Sequence, residues 1–201
     1  MNTTGGTAFL EGEIFCNDGM VTTGIGGTNK IAGDTNVLGD YTNAGTTIVK
    51  RGILYIYGDL VNTGTLSGEV DHGFARGGGG PRPGDGHSIG GDYRVGSAAS
   101  LVMPDPVWRL QVGGDLDIAI DDPDRFDLRQ ATIRLTGLAP GAFQTMETLS
   151  ADLGAFEEGF DPSNFPIGTL RISRGSETTL VNDHPNSTEA SCEVLYVDRI
   201  V

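Results

Sequence analysis

A Gly-Asp pair recurs four times in this chain of 201 residues, each time in the same local setting. An apolar residue stands two positions before each Gly, and another follows each Asp directly. On both sides the apolar residues alternate with a period of two, which places their side chains on one face of a β-strand. The four copies are Gly39-Asp40, Gly58-Asp59, Gly91-Asp92 and Gly114-Asp115.

The spacing of the copies predicts a repeating architecture. Asp40 and Asp59 are 19 residues apart, and Asp92 and Asp115 are 23 residues apart. A period of about 20 residues, made of short strands and turns, is the size of one coil of a β-solenoid, in which stacked coils bury one another's apolar rows. Asn43 and Asn62 recur at equivalent positions and predict a stacked amide ladder. We therefore predict an all-β fold, with residues 1–201 forming a single solenoid domain.

A Gly- and Pro-rich segment, residues 68–91, interrupts the repeat and contains two of the three histidines, His72 and His87. One interpretation is a metal or acid–base site on a loop that a rigid scaffold carries. The other is a flexible loop insertion whose polar residues are solvated, and the run of four glycines favours it. A second local irregularity, around Phe143 and Met146, has helical spacing but is also compatible with a strand.

A dense cluster of aspartates lies between residues 115 and 127. Carboxylate oxygens at close spacing are the ligands that calcium prefers, so Asp121, Asp122 and Asp124 are the candidate metal ligands. The pattern lacks the Gly and Glu of an EF-hand loop, and a solvated acidic turn around Pro123 is the alternative. No nucleophile motif is present, and Trp108, beside prolines, is either a sugar-stacking platform or a cover for one end of the core.

The charge balance narrows the possible partners. The chain has 13 basic and 27 acidic residues and a net charge of −14, which argues against binding to nucleic acid or to an anionic membrane surface. No apolar run has the roughly 18 residues needed to insert across a bilayer. The polar start and the strand-like end "CEVLYVDRIV" lead us to expect a portion of a longer polypeptide, and Cys16 and Cys192 are expected to be unpaired thiols.

Three stretches carry a resemblance to known proteins: "GDYTNAGTTIVKRGILYIYGDLVNTGTLSG", "PRPGDGHSIGGDY", and "FDPSNFPIGTLRISRGSETTLVND" with the final "EVLYVDRIV". They resemble the repeat regions of large secreted bacterial proteins, the autotransporter-like and planctomycete-type β-solenoid surface proteins. The resemblance implies a right-handed parallel β-helix, secretion or a cell-surface location, and a non-catalytic structural or adhesive role. Its implied partners are other surface proteins or polysaccharide, with end-to-end association through exposed coil ends.

Two enzymatic alternatives stay open. Read in groups of six, successive groups open with Ile31, Val37, Asn43, Val49, Tyr55 and Val61, as in hexapeptide-repeat acyltransferases. Such enzymes would use a loop histidine such as His72 or His87. A repeat of 19 is not a multiple of six, which opposes that alternative. A carbohydrate-active β-helix enzyme, such as a polysaccharide lyase or hydrolase, would need acidic calcium ligands and a basic catalytic residue on one face, and the sequence does not identify the basic residue.

Overall fold

The computed structural model describes residues 2–3, 6–10, 21–32, 35–51, 53–57, 59–68, 86–104, 106–137, 143–154, 160–186 and 193–201. Strands account for 55% of the structure and helix for 5%, so the chain is all-β, as predicted. The helical part includes two short 3-10 helices, Pro123–Arg125 and Pro162–Asn164, each of which begins at a proline that follows an aspartate.

Most of the strands lie in three parallel rows, which we call sheets A, B and C. Sheet A contains β1 (Asn2–Thr3), β3 (Val21–Thr23), β6 (Tyr41–Asn43), β9 (Leu60–Asn62), β12 (Tyr93–Val95), β15 (Leu116–Ile118), β17 (Phe143–Glu147) and β20 (Glu177–Val181). Sheet B contains β2 (Thr7–Leu10), β4 (Thr28–Ala32), β7 (Thr46–Arg51), β10 (Thr65–Gly68), β13 (Ser100–Val102) and the first part of β16 (Phe126–Leu135). Sheet C contains β5 (Thr35–Val37), β8 (Ile53–Ile56), β11 (Gly86–Ile89), β14 (Arg109–Val112), the second part of β16, β19 (Ile167–Ile172) and β22 (Val197–Ile200). A small antiparallel pair joins β18 (Ser150–Ala151) to β21 (Glu193–Val194).

The chain visits the three sheets in a fixed order, B then C then A, and completes four such circuits between β4 and β15. Each strand pairs in parallel with its equivalent in the next circuit, so that Asn43 lies opposite Asn62 in sheet A. The long strand β16 then runs through two sheets: Phe126 pairs with Leu101 in sheet B, and Thr132 pairs with Arg109 in sheet C. The parallel sheets therefore form a nearly closed, solenoid-like arrangement.

The residues around the Gly-Asp pairs supply two rows of one continuous core. The residues two positions before each Gly and directly after each Asp were predicted to share a face, and all eight are buried: Val37, Ile56, Ile89, Val112, Tyr41, Leu60, Tyr93 and Leu116. Fully burying a large apolar side chain contributes about 1.5–3 kcal/mol, so stacking of coils on one another is the main source of stability.

The predicted asparagine ladder is confirmed in sheet A. Asn43 Nδ2 donates to Asn62 Oδ1 at 2.7 Å and also to the carbonyl of Thr65 at 2.8 Å. The Thr47 hydroxyl donates to Asn43 Oδ1 at 3.1 Å, and it lies 2.5 Å from the Tyr41 hydroxyl. The four side chains, those of Tyr41, Asn43, Thr47 and Asn62, are all buried. Because the polar atoms of one coil bond to those of the next, the ladder specifies which coils are neighbours as well as holding them together.

Two local predictions are corrected by the structure. The segment with helical spacing forms β17, in which Met146 faces the core; pairing with β15 and β20 determined its conformation. The insertion predicted for residues 68–91 is shorter than expected, since Gly68 belongs to β10 and Gly86–Ile89 forms β11, a strand paired on both sides. The rest of that segment, residues 69–85, lies outside the described residues, as do His72, Cys16 and Cys192.

Candidate functional site

The aspartates of the repeated motif connect successive coils. Asp40 Oδ1 accepts a hydrogen bond from the backbone N–H of Asp59 at 3.0 Å, Asp59 Oδ1 accepts from Asp92 at 2.9 Å, and Asp92 Oδ1 accepts from Asp115 at 2.9 Å. Asp115 Oδ1 continues the series by accepting from the backbone N–H of Thr145 at 2.7 Å. We call this column the aspartate ladder. Asp59 lies between β8 and β9, and its carboxylate has a structural role.

The three predicted calcium ligands lie in a turn around Pro123, as the acidic-turn interpretation expected. Asp121 is exposed, and Asp122 caps the 3-10 helix by accepting from the Asp124 backbone N–H at 3.1 Å. The other Asp122 oxygen is 3.1 Å from Arg125 Nε. Within the described ranges, no three His, Cys, Asp or Glu side chains form a group that could hold a metal ion.

A second aspartate–proline turn packs against the first. Asp161 caps the 3-10 helix at Pro162 by accepting from the backbone N–H of Ser163 at 2.8 Å. The Ser163 hydroxyl also donates to Asp161, and this side-chain bond, together with the backbone bond, lowers the pKa of Asp161. Phe126 and Phe165, which follow the two turns, meet edge to face with ring centroids 5.6 Å apart. The pair shares the pattern Asp-Pro-x-x-Phe, which the sequence contains and our sequence analysis missed.

An open groove of about 420 Å³ is lined by residues of both turns. Arg129 lines this groove and donates to the two carboxylate oxygens of Asp127 through Nε and Nη2, each at 3.0 Å. This bidentate pair lowers the pKa of Asp127. The carboxylate therefore stays ionised near neutral pH, and both of its oxygens already bond to Arg129.

His87 and Trp108, the candidates for acid–base chemistry and for sugar stacking, are both buried. His87 lies on β11 with 1% of its surface exposed, and within the described part of the chain neither ring nitrogen has a hydrogen-bond partner. Desolvation lowers the pKa of His87 from 6.5 to about 3, so its ring is neutral. The interpretation of His87 as a loop acid–base group is therefore wrong. Trp108 is also fully buried, so it cannot be a sugar-stacking platform.

A cluster that the sequence did not reveal joins β15, β17 and the segment after β20. His184 Nε2 lies 2.6 Å from Asp117 Oδ1, within hydrogen-bond distance, and both side chains are partly exposed. The register that pairs Leu116 with Met146 makes Asp117 and Glu147 neighbours on adjacent strands. We call these three residues the Asp–His–Glu cluster. Asp117 and His184 are 67 residues apart in the chain, so no local pattern could predict their contact.

The segment 182–186 covers the buried member of this cluster. Glu147 Oε1 accepts hydrogen bonds from the backbone N–H groups of Asp183 and His184 at 2.8 and 2.9 Å. Asn186 Nδ2 donates to the carbonyls of Ile118 and Ile120, both at 2.8 Å, and fixes the far end of the segment. Burial raises the pKa of Glu147. Glu147 thus anchors the covering segment and is itself removed from solvent.

Comparisons with known proteins give no information about the function of this chain. No family model, curated protein or solved structure matches this chain. In the described part of the chain, no helix is long and apolar enough to cross a membrane.

Proposed function

We propose that the chain is a non-catalytic structural or adhesive scaffold of the cell surface or extracellular space, built as a right-handed parallel β-helix. The observation that carries the proposal is the aspartate ladder. Its four carboxylates, the groups of the repeat most suited to chemistry, each hold the backbone of the next coil. Because the repeated aspartates hold neighbouring coils together, they support a structural role for the chain.

The right-handed coil is supported by the topology. Successive strands in each sheet are parallel and are joined through the other two sheets. Crossover connections between parallel strands of one sheet are right-handed in about 98% of cases, because a twisted strand returns to its own sheet most easily in that sense.

The surface location can be tested on intact cells of the source organism. An antibody raised against the purified chain should label unpermeabilised cells or detect the protein in the culture medium, and added protease should remove the label. A cytoplasmic protein should serve as the control and resist the same protease. Detection only after lysis, together with the cytoplasmic control, would contradict the proposal.

Partners of such a scaffold would be other surface proteins or polysaccharide, and a further copy could stack on a coil end. Leu180 and Ile200 support end-to-end association. They continue the inward rows that contain Met146 and Leu170, yet 50% and 68% of their surfaces are exposed. β20 is the outermost strand of sheet A in the described chain, and Leu180 lies on it.

Calcium at Asp121, Asp122 and Asp124 stays a prediction, which a melting experiment can test. If calcium bridges these carboxylates, adding it after chelator treatment should raise the melting temperature by several degrees, because a ligand that binds only the folded chain stabilises it. The variant Asp124→Asn should lose part of this increase. Magnesium at the same concentration is the control, and an unchanged midpoint in calcium would remove the prediction.

A carbohydrate-active enzyme is the second candidate, and the Asp–His–Glu cluster is the observation that favours it. Asp117 orients the His184 ring at 2.6 Å, as an acid–base residue requires. Release of reducing ends or unsaturated products from a panel of polysaccharides, abolished by His184→Gln, would establish this alternative. Equal release by the wild-type chain and the variant would exclude a role for His184.

A further inference from the structure

The outward side of sheet C carries a concentration of arginine. Three of these arginines, on β14, β16 and β19, stand next to the buried Leu110, Ile133 and Leu170, so their side chains point away from the core. A fourth, on β22, is in register with the outward-facing Thr169. We call this surface the arginine face. Its arginines are Arg109 on β14, Arg134 on β16, Arg171 on β19 and Arg199 on β22.

No carboxylate neutralises this face within the described chain. In the described part of the chain, arginine–aspartate ion pairs are formed by Arg94, Arg125 and Arg129. None of these three residues belongs to the arginine face: Arg94 and Arg125 lie outside sheet C, and Arg129 lies at the corner within β16. Arg134 Nη1 donates to Gln111 Oε1 at 3.3 Å, while its Nε is buried without a partner. In a protein with a net charge of −14, four arginines without acidic partners form an isolated positive surface.

The face has the form of a straight row of polar groups. Parallel register aligns one side chain from each of five strands: Tyr55, Ser88, Gln111, Arg134 and Arg171. Strands in a sheet are about 4.8 Å apart, so the row extends for roughly 19 Å. Gln111 Nε2 donates to the Ser88 hydroxyl at 3.3 Å, which makes part of the row continuous.

A shallow groove with an aromatic wall lies at one end of the row. It has a volume of about 210 Å³ and is lined by Tyr55, Tyr57, Ser88 and Gln111, among others. Tyr57 is 59% exposed and presents its ring to solvent. The face thus combines guanidinium groups, an amide and a hydroxyl in one row, with an exposed aromatic ring beside one end of it.

We propose that the arginine face binds an extended, carboxylated polysaccharide. Guanidinium groups bind carboxylates through paired hydrogen bonds, and neutral amide and hydroxyl groups suit the hydroxyls of the sugars between them. The in-register row matches a linear polymer with a regular repeat. This ligand class gives the adhesive role proposed above a chemical partner, and its biological meaning rests on that role.

A nucleic acid is the competing anionic polymer, and the composition of the face disfavours it. Proteins that hold single strands stack successive bases on several aromatic side chains, whereas this face exposes one tyrosine ring beside its groove. The net charge of −14 opposes nucleic acid and acidic polysaccharide alike at long range, so it does not decide between them. The guanidinium groups of the face would contact ligand carboxylates within hydrogen-bond distance. Salt screens the repulsion from the protein's more distant aspartates more than it screens these direct contacts.

Binding of polygalacturonate to the purified 201-residue chain tests the proposal, with the fully methyl-esterified polymer as the uncharged control. The double variant Arg134→Gln/Arg171→Gln should weaken binding at least about tenfold at a near-physiological salt of about 0.15 M. The matched control is Arg94→Gln/Arg125→Gln, which removes the same charge from other surfaces and should change binding less than about twofold. Circular dichroism would confirm that all variants fold.

Each outcome decides the proposal. Preferential binding of the acidic polymer, lost only in the Arg134/Arg171 variant, supports it. Equal binding of the esterified polymer, equal loss in both double variants, or tighter binding of single-stranded DNA of similar length would overturn it. The binding measurement uses the purified chain, so a negative result would not bear on the proposed surface location. Conversely, finding the protein in the cytoplasm would not change the affinity measured for the purified chain.

Discussion

Replacing His87 by leucine should make the protein more stable, and the gain should grow as the pH falls. Both ring nitrogens of His87 are buried without partners in the described chain, in the inward row between Leu54 and Leu110. A buried polar group without a partner costs about 1–3 kcal/mol, so we expect His87→Leu to raise the free energy of unfolding by about 2 kcal/mol at pH 7.

The pH dependence follows from the pKa of this histidine. Its pKa is 6.5 without burial and about 3 in the folded chain, so the unfolded chain binds one more proton between these values. Above pH 6.5 the histidine is neutral in both states and adds no pH dependence. Below pH 6.5 the free energy of unfolding of the wild-type chain falls by up to about 1.4 kcal/mol per pH unit. The advantage of His87→Leu should reach roughly 5 kcal/mol at pH 4.5.

Urea denaturation at several pH values would measure these differences, with the fluorescence of Trp108, the single tryptophan, as the probe. His87→Gln is the matched control, because it keeps a buried polar group but cannot take up a proton. The free energy of unfolding of His87→Gln should not show the fall below pH 6.5 that His87 causes, and at pH 7 it should not exceed that of the wild-type chain. Identical pH slopes for the wild-type chain and His87→Leu would show that His87 is not held neutral in the core.

Adding a single methyl group at Gly113 should destabilise the protein by about 3 kcal/mol or more. Gly113 lies where the chain passes from sheet C to sheet A, and its N–H donates to the carbonyl of Ile89 at 2.9 Å. A Cβ atom at this position would lie 2.3 Å from the carbonyl oxygen of Gly90 in the adjacent coil. That neighbour is backbone, so relief of the clash requires the two coils to separate and weakens the hydrogen bond to Ile89.

Gly96 provides the control for this substitution. It also lies in a turn of the stack, but a Cβ there would first meet the side-chain methyl of Thr63 at 3.4 Å, an ordinary contact. We expect Gly96→Ala to change the free energy of unfolding by less than about 1 kcal/mol. The two variants should be compared by thermal and urea denaturation. Similar stability for both would show that the coils are not in close contact at Gly113.

The repeat could be read from the sequence because its signals are local. The alternation around each Gly-Asp pair correctly predicted which residues face the core, and the shared position of Asn43 and Asn62 correctly predicted their contact. His87 was misassigned because glycines and prolines precede it, whereas pairing of β11 with strands on both sides determined its burial. Tertiary pairing likewise made β17 a strand in spite of its helical spacing.

The candidate sites were less predictable because they form between distant residues. Asp117 and His184 meet only after the chain has passed through several further strands. The arginine face is invisible in any one coil, since each strand contributes a single arginine and the parallel register assembles them. The role of the aspartate ladder also depends on the next coil, which supplies the N–H group that each carboxylate accepts.

The corner between sheets B and C has a consequence for protein engineering. One residue separates β7 from β8, residues 69–85 separate β10 from β11, and residues 103–108 separate β13 from β14, while β16 continues through the corner without a break. The strands on both sides nevertheless keep their pairing. Because the entropy of closing a loop rises only slowly with its length, a foreign peptide inserted at this corner should leave the stack intact. The fold could thus display added sequences at regular intervals along one edge.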